Sequence, residues 1–439
     1  MQPSSPQANR PILGPGGLLD HSLIQSTLSL YGVYLANYAL PLITVPYLAR
    51  VLGPASWGIL AMAQGLGNYV RLVVEYGFSL SATREVARSR DDRDRVAGLL
   101  AGVVGGQVAL AVALLPVPLL AQSWVPVLRD QPLLVWVAYC WAITQGASPV
   151  WFFQGLERMR LVAALDVGAK VLTTAGIFLF VKTPHDAVAV LVLQLVAGIL
   201  TLLIGFVIAY GEVPWQRPSV RESWGALRLG WSLFVFRSAV SMYTVGNAFI
   251  LGLFATPTIV GYYAAAERIS KALLGLLGPF GQVLYPRVSH LVRDAWEDAV
   301  RLAQAGLRIM GAGGVLLGLV AYFGAPFLVR ILLGPMFAPT VPVLRVLALL
   351  LPLIAVSNVL GIQWMLPLGL DHVFNRIILA AGVLNLSLAY WLAPRFAEMG
   401  MAWAVVIAEA FVTFIMYAYL RWRNLDPVRG AVVMPGEVG

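Results

Sequence analysis

Seven basic residues, Arg71, Lys170, Arg237, Arg268, Lys271, Arg308 and Arg345, fall inside stretches of sequence that are otherwise apolar. Hydrocarbon tolerates a cation only where it faces a protein-lined, watered or charge-paired interior, so each is a candidate functional residue, and the chemistry open to the set is anion binding. Four carboxylates share the same stretches: Glu75, Asp166, Glu267 and Glu409. Three stand four residues from a cation and so on one helical face: Arg71 with Glu75, Asp166 with Lys170, and Glu267 with Lys271. Such pairs also neutralise each other and ease insertion without any ligand. Even so, seven cations against four anions leave a surplus with no partner visible in the sequence.

Depth ranks these residues. Arg308 and Arg345 lie within about two turns of their span ends, where a long basic side chain reaches the headgroups, and Lys170 is not much deeper. Arg71, Arg268 and Lys271 fall near the middle of their spans and Arg237 about two turns into its own; these four are expected to line a cavity, with Lys170 as a further candidate. Glu409, a lone carboxylate midway along the last span, is a candidate for proton exchange, the alternative being a neutral acid bonded to a neighbouring helix. Arg50, in a Gly-Pro turn just past the first span, reads either as a headgroup anchor or as a gate that pairs with an acidic group in one conformational state only. Trp57, Trp124, Trp151 and Trp224 near span ends read as interfacial anchors before sugar-stacking platforms, and the small residues of 98–106 as sites of close helix contact.

Other chemistries find no support. There is no phosphate-binding loop and no H-E-x-x-H, the only cysteine is Cys140, and the histidines are scattered at 21, 185, 290 and 372, so neither ATP hydrolysis, a metal site nor a cofactor is expected. Membrane polymerases and glycosyltransferases usually need a sizeable polar domain, whereas the longest interior connection here is 211–228. An enzyme is not expected.

The elements that position these residues follow from composition. With 59% hydrophobic residues, 12% charged and a mean hydropathy of +0.80, the chain cannot fold around one soluble core. Apolar stretches of about 20 residues or more lie at 22–48, 56–80, 97–122, 132–153, 161–181, 187–210, 229–255, 258–284, 302–326, 339–361, 373–393 and 399–421. They are too long and too continuously apolar for barrel strands, so the expected fold is all-α, with about 12 transmembrane helices. The stretch that follows the polar residues 1–20 is longer than a signal-peptide core and reads as a retained first helix.

The net charge of +9 reports topology rather than nucleic acid. If the N-terminus is inside, inner segments hold 18 Lys and Arg against five in outer loops, which places both termini in the cytoplasm. The expected organisation is a tail at 1–21, an N-lobe at 22–210, a cytoplasmic connection at 211–228, a C-lobe at 229–422 and a tail at 423–439. An internal repeat supports two halves. At an offset of 203, PASWGILAMAQ (54–64) aligns with PTIVGYYAAAE (257–267), matching Pro54 to Pro257 and Gly58 to Gly261, and further on Arg84 to Arg287. Both copies start the second helix of a half. A parallel repeat of this kind is a transporter architecture, two lobes rocking about a central cationic cavity.

Particular residues then resemble a family. PYLARVLGP (46–54), EYGFSLSATR (75–84), WFFQGLERM (151–159), GYYAAAERI (261–269), YPRVS (285–289) and SNVLGIQ (357–363) are similar, in order, to the polysaccharide transporter family, the Wzx-type O-antigen flippases. The resemblance implies a relative of multidrug exporters and peptidoglycan lipid flippases that works by alternating access. It implies a substrate of oligosaccharide on undecaprenyl diphosphate, moved across the bacterial inner membrane for O-antigen or a related polysaccharide, with membrane lipid around it and a polysaccharide polymerase and chain-length regulator as partners. Arg71, Arg237, Arg268 and Lys271 would receive the diphosphate. Glu409, Glu267, Asp166 and Glu75 would be the places for a coupling ion. The alternatives are an exporter of drugs or small amphiphiles and, from another class, a membrane-embedded polymerase.

Overall fold

The computed structural model describes residues 21–429, with the side chains of 43–428 apart from a few within 232–244. Residues 1–20 and 430–439, most of the two expected tails, lie outside the described residues. All repeating structure among the described residues is helical. The helices are α1 (His21–Glu75), α2 (Phe78–Ser89), α3 (Arg93–Ala113), α4 (Pro116–Trp124), α5 (Pro126–Arg129), α6 (Pro132–Gly146), α7 (Val150–Gly155), α8 (Met159–Phe180) and α9 (Ala187–Glu212). Then come α10 (Val220–Thr244), α11 (Asn247–Gly252), α12 (Pro257–Gly275), α13 (Gly278–Asp294), α14 (Trp296–Leu332), α15 (Thr340–Leu347), α16 (Leu350–Asn358) and α17 (Asp371–Trp422). A π-helical turn, Val359–Met365, continues α16.

Local chemistry sets the boundaries. Prolines open α4, α5, α6 and α12, where a missing N–H costs nothing. Asp92 caps α3 by accepting from the Arg95 N–H at 3.0 Å, and Ser219 caps α10 by accepting from that of Glu222 at 3.2 Å. Seven helical stretches among the described residues are long and apolar enough to cross a membrane: Arg93–Trp124, Pro132–Gly155, Met159–Phe180, Pro184–Glu212, Trp296–Leu332, Thr340–Met365 and Asp371–Trp422. This makes the protein a multi-pass membrane protein.

Four of the twelve expected stretches are absent from the seven and two are counted as one; that at 22–48 falls mostly among residues whose side chains lie outside the described ones, and helix breaks account for the other three. Hydropathy does not see helix breaks. The stretch expected at 56–80 is interrupted at Tyr76 (φ 47°) and Gly77 (φ 75°), that at 229–255 around Val245 and Gly246, and that at 258–284 at Leu276 and Leu277. The stretches at 373–393 and 399–421 are two helices that meet within α17 at Ala397 (φ 47°), whose backbone is non-helical, and α1 is likewise broken at Gly53 (φ 67°) ahead of the helix 54–75.

The apolar core is continuous around one end of the molecule and divided at the other. The largest cluster joins Leu52, Trp57 and Leu60 to Val260, Tyr263, Leu344 and Val406. Two smaller clusters are separate: one gathers Phe78, Val86, Leu100 and Phe152, the other Leu284, Val300, Trp364 and Val412. At the joined end the repeat-related helices 54–75 and α12 cross with backbones in contact. A Cβ on Gly58 would lie 1.8 Å from the Pro257 carbonyl oxygen, and one on Gly261 would lie 2.0 Å from that of Pro54. Only glycine permits this approach. The two contacts are reciprocal, residue for residue, as the repeat alignment requires.

Candidate substrate-binding site

Between 54–75, α11 and α12 lies a cavity of about 150 Å³ lined by Trp57, Gln64, Asn68, Glu267, Arg268 and Lys271 among others. On α12, Glu267 and Lys271 are one turn apart and their charged ends meet at 3.2 Å. Arg268 reaches across to the other copy of the repeat. It donates to Gln64 Oε1 at 3.0 Å, and its guanidinium stands 4.8 Å from the centre of the Trp57 ring. Gln64 in turn donates to Gln194 Oε1 of α9 at 3.1 Å, which fixes its carbonyl toward the arginine. Behind the cavity Asn247 donates to Glu267 at 3.3 Å and Asn385 to Asn247 at 3.4 Å. The lining therefore carries two cations and one carboxylate, a net positive pocket with amide and indole groups around it. The indole N–H of Trp57 is buried with no hydrogen-bond partner among the described residues.

Of the sequence-predicted residues, the structure brings Arg268, Lys271 and Glu267 together here and places the others elsewhere. Arg71 is not paired with Glu75. The helix ends at Glu75, and that carboxylate turns to Arg237 of α10, which donates to it at 2.7 Å and also to the Ser79 hydroxyl. The buried Nε of Arg71 has no hydrogen-bond partner among the described residues. Lys170 and Asp166 pair at 2.8 Å on α8, both partly exposed and outside the cavity lining. Glu409 is 6% exposed and accepts from the Ser357 hydroxyl of α16 at 2.6 Å. Arg50 donates to the Ile331 carbonyl at the C-terminal end of α14, a helix terminus that favours a cation. Arg308 and Arg345 are exposed, the latter donating to the Tyr322 carbonyl at 3.3 Å.

Trp57 and Trp151 correct the reading as interfacial anchors. They are 2% and 3% exposed and pack inside the protein, whereas Trp124 and Trp224 are 81% and 69% exposed. Gln64 and Asn68 were not singled out by charge, yet a signal existed. At the repeat offset they align with Glu267 and Lys271, the same four-residue spacing on the matching helix.

The Arg237–Glu75 bond ties α10 to the end of α1 with side chains 34% and 19% exposed. Glu75→Gln is expected to cost about 1–3 kcal/mol, between an exposed and a fully buried pair. Thermal unfolding in detergent checks this, and the loss is expected to shrink in a background that already carries Arg237→Met.

Comparisons with known proteins follow the same lines. The family described as "Polysaccharide biosynthesis protein" matches residues 23–292. A protein of Escherichia coli (strain K12) named "Putative O-antigen transporter" is 34% identical over 412 residues, 92% of this chain and 98% of that one. The solved structure described as "Lipid II flippase MurJ, inward closed conformation" superposes with a TM-score of 0.71 at 14% identity, covering 91% of this chain and 87% of that chain. The inward-facing conformation of a multidrug resistance MATE family transporter of the MOP superfamily gives 0.69 at 14% identity, covering 88% and 94%. At that identity the likeness is one of fold. With a family match over more than half its length and a 34% identical relative along nearly all of it, the chain belongs to the polysaccharide biosynthesis protein family.

Proposed function

We propose that this protein is a flippase that carries oligosaccharide linked to undecaprenyl diphosphate from the inner to the outer leaflet of the bacterial inner membrane, for O-antigen or a related polysaccharide. The observation that carries the reading is the placement of Arg268 and Lys271 in a cavity between the two repeat-related helices. A diphosphate cannot cross hydrocarbon bare, since burying an isolated charge costs on the order of tens of kcal/mol in the idealised limit. Cations in a polar cavity between apolar helices lower that barrier while the polyprenyl chain stays in lipid. An inside-negative potential adds about 2.3 kcal/mol per charge per 100 mV to outward movement of the anion.

In this reading twelve spans form two six-helix lobes, 22–210 and 229–422, joined by the cytoplasmic connection 211–228 and flanked by cytoplasmic tails. The continuous core at the Gly58 and Gly261 crossing is then the closed outer side, and the divided clusters are the side that parts to admit the substrate. Arg71, Arg237 and Lys170 line the route beyond the cavity, Arg50 latches the outer mouth through α14, and Glu409, Glu267, Asp166 and Glu75 are the carboxylates available to a coupling ion. A polysaccharide polymerase and a chain-length regulator act on the product. The relative named as an O-antigen transporter and the fold shared with a lipid flippase support transport rather than catalysis.

Reconstitution tests it. Vesicles with purified protein, loaded with a tail-labelled polyprenyl diphosphate disaccharide, are expected to expose the sugar to an impermeant glycosidase within minutes. Exposure no faster than in protein-free vesicles would overturn the reading.

A further inference from the structure

A second and larger cavity, about 520 Å³, opens between α12, α13, α14 and the π-helical turn, and no residue of the cation site lines it. Its walls include Leu274, Gln282, Tyr285, Met310, Asn358 and Gln363, and none of its lining side chains is charged. The volume is that of a small-molecule site, which spans about 300–1,000 Å³. A diphosphate finds no counter-charge here. A neutral group needs none.

The amide of Gln363 identifies what kind. Its side chain is 3% exposed, and among the described residues its Oε1 has no hydrogen-bond partner and its Nε2 reaches only the Met310 sulfur at 3.4 Å, a weak acceptor. A buried amide with both ends undersatisfied is unfavourable unless something completes it. The backbone is arranged to hold it there. The wide π turn, a feature found often at functional sites, carries Gln363, and a Cβ on Gly281 would stand 2.9 Å from its Nε2. An isoprenoid chain has neither donor nor acceptor for this group. A sugar ring has both, along with an apolar face for Leu274, Met310 and Tyr285. The location fits as well: Leu274 lies three residues past Lys271 on α12, so the chamber follows the cation site along the same helix.

We infer that this cavity binds the uncharged sugar next to the diphosphate, with Gln363 and Asn358 as the groups that hydrogen-bond its hydroxyls. The inference rests on the flippase reading and adds a saccharide subsite to it. The test uses the full chain in detergent, Gln363→Met and Asn358→Leu variants, and two probes: a fluorescent polyprenyl diphosphate carrying a disaccharide, and the same lipid diphosphate with no sugar. Each variant is expected to bind the glycosylated probe about tenfold more weakly, the effect of one lost hydrogen bond of the stronger kind, and the bare probe as the wild type does. Unchanged bare-lipid binding also shows that the variant is folded, and a variant that does not fold leaves the other to decide. Equal weakening for both probes, or for neither, would overturn the subsite. Wild-type protein that binds neither probe would overturn the flippase reading first, and the subsite with it.

Discussion

Removing both cations of the smaller cavity, Arg268→Ala with Lys271→Ala, is expected to abolish export of the lipid-linked saccharide while the protein still inserts. Each charge-assisted hydrogen bond to a phosphate oxygen contributes about 1.5–3 kcal/mol, so losing two weakens capture of the diphosphate by roughly 10²- to 10⁴-fold. The remaining lining, Trp57, Gln64, Asn68 and Glu267, offers no positive charge to replace them. Glu267, left without Lys271, would itself repel the anion. Arg268→Lys separates charge from shape: the ammonium keeps the sign but not the planar fork that spans Gln64 and the Trp57 face, so a partial defect is expected. Surface polysaccharide in a complemented deletion strain, read beside protein level in the membrane, is the measurement. Normal polysaccharide from the double variant would remove the cavity from the transport path.

Substituting either glycine of the helix crossing is expected to be the most damaging single change to stability. A methyl at Gly58 meets the Pro257 carbonyl, and at Gly261 the Pro54 carbonyl, both backbone groups that no rotamer change can move. The helices must separate, and because core packing extends around the crossing, the loss for Gly58→Ala or Gly261→Ala is about 2–4 kcal/mol. The double variant is expected to cost less than the sum, since one separation relieves both clashes. Thermal unfolding in detergent followed by size-exclusion fluorescence decides; an unchanged midpoint for either single variant would show that the two backbones do not touch.

These two sites differ in how legible they were. The crossing was present in the sequence as an alignment at an offset of 203, and its glycines were among the matched residues, because a repeat copies the steric requirement along with the helix. Arg268, Lys271 and Glu267 were legible too, since charge in an apolar helix is conspicuous. What the sequence did not disclose is contact between distant segments. Spacing allowed Arg71 to pair with Glu75, but the carboxylate is taken by Arg237, 162 residues away, because the helix stops at Glu75. Trp57 sits near a span end, and hydropathy alone cannot tell a lipid headgroup from the guanidinium that covers it. Gln64 and Asn68 are uncharged, so charge does not mark them, although the repeat points to both. The same limit explains the helix breaks at Tyr76, Gly246 and Leu276, which leave the apolar character of the segment untouched.

The wide turn at 359–365 has a consequence for how such a protein diversifies. A π turn amounts to one residue added to an α-helix, and each residue advances the side-chain bearing by about 100°. Deleting a single codon there would swing Gln363 off its place on the 520 Å³ chamber and bring a neighbour such as Trp364, which does not line it, round instead. Selectivity at that wall can thus change through length rather than through identity, in one mutational event that leaves every other amino acid as it was.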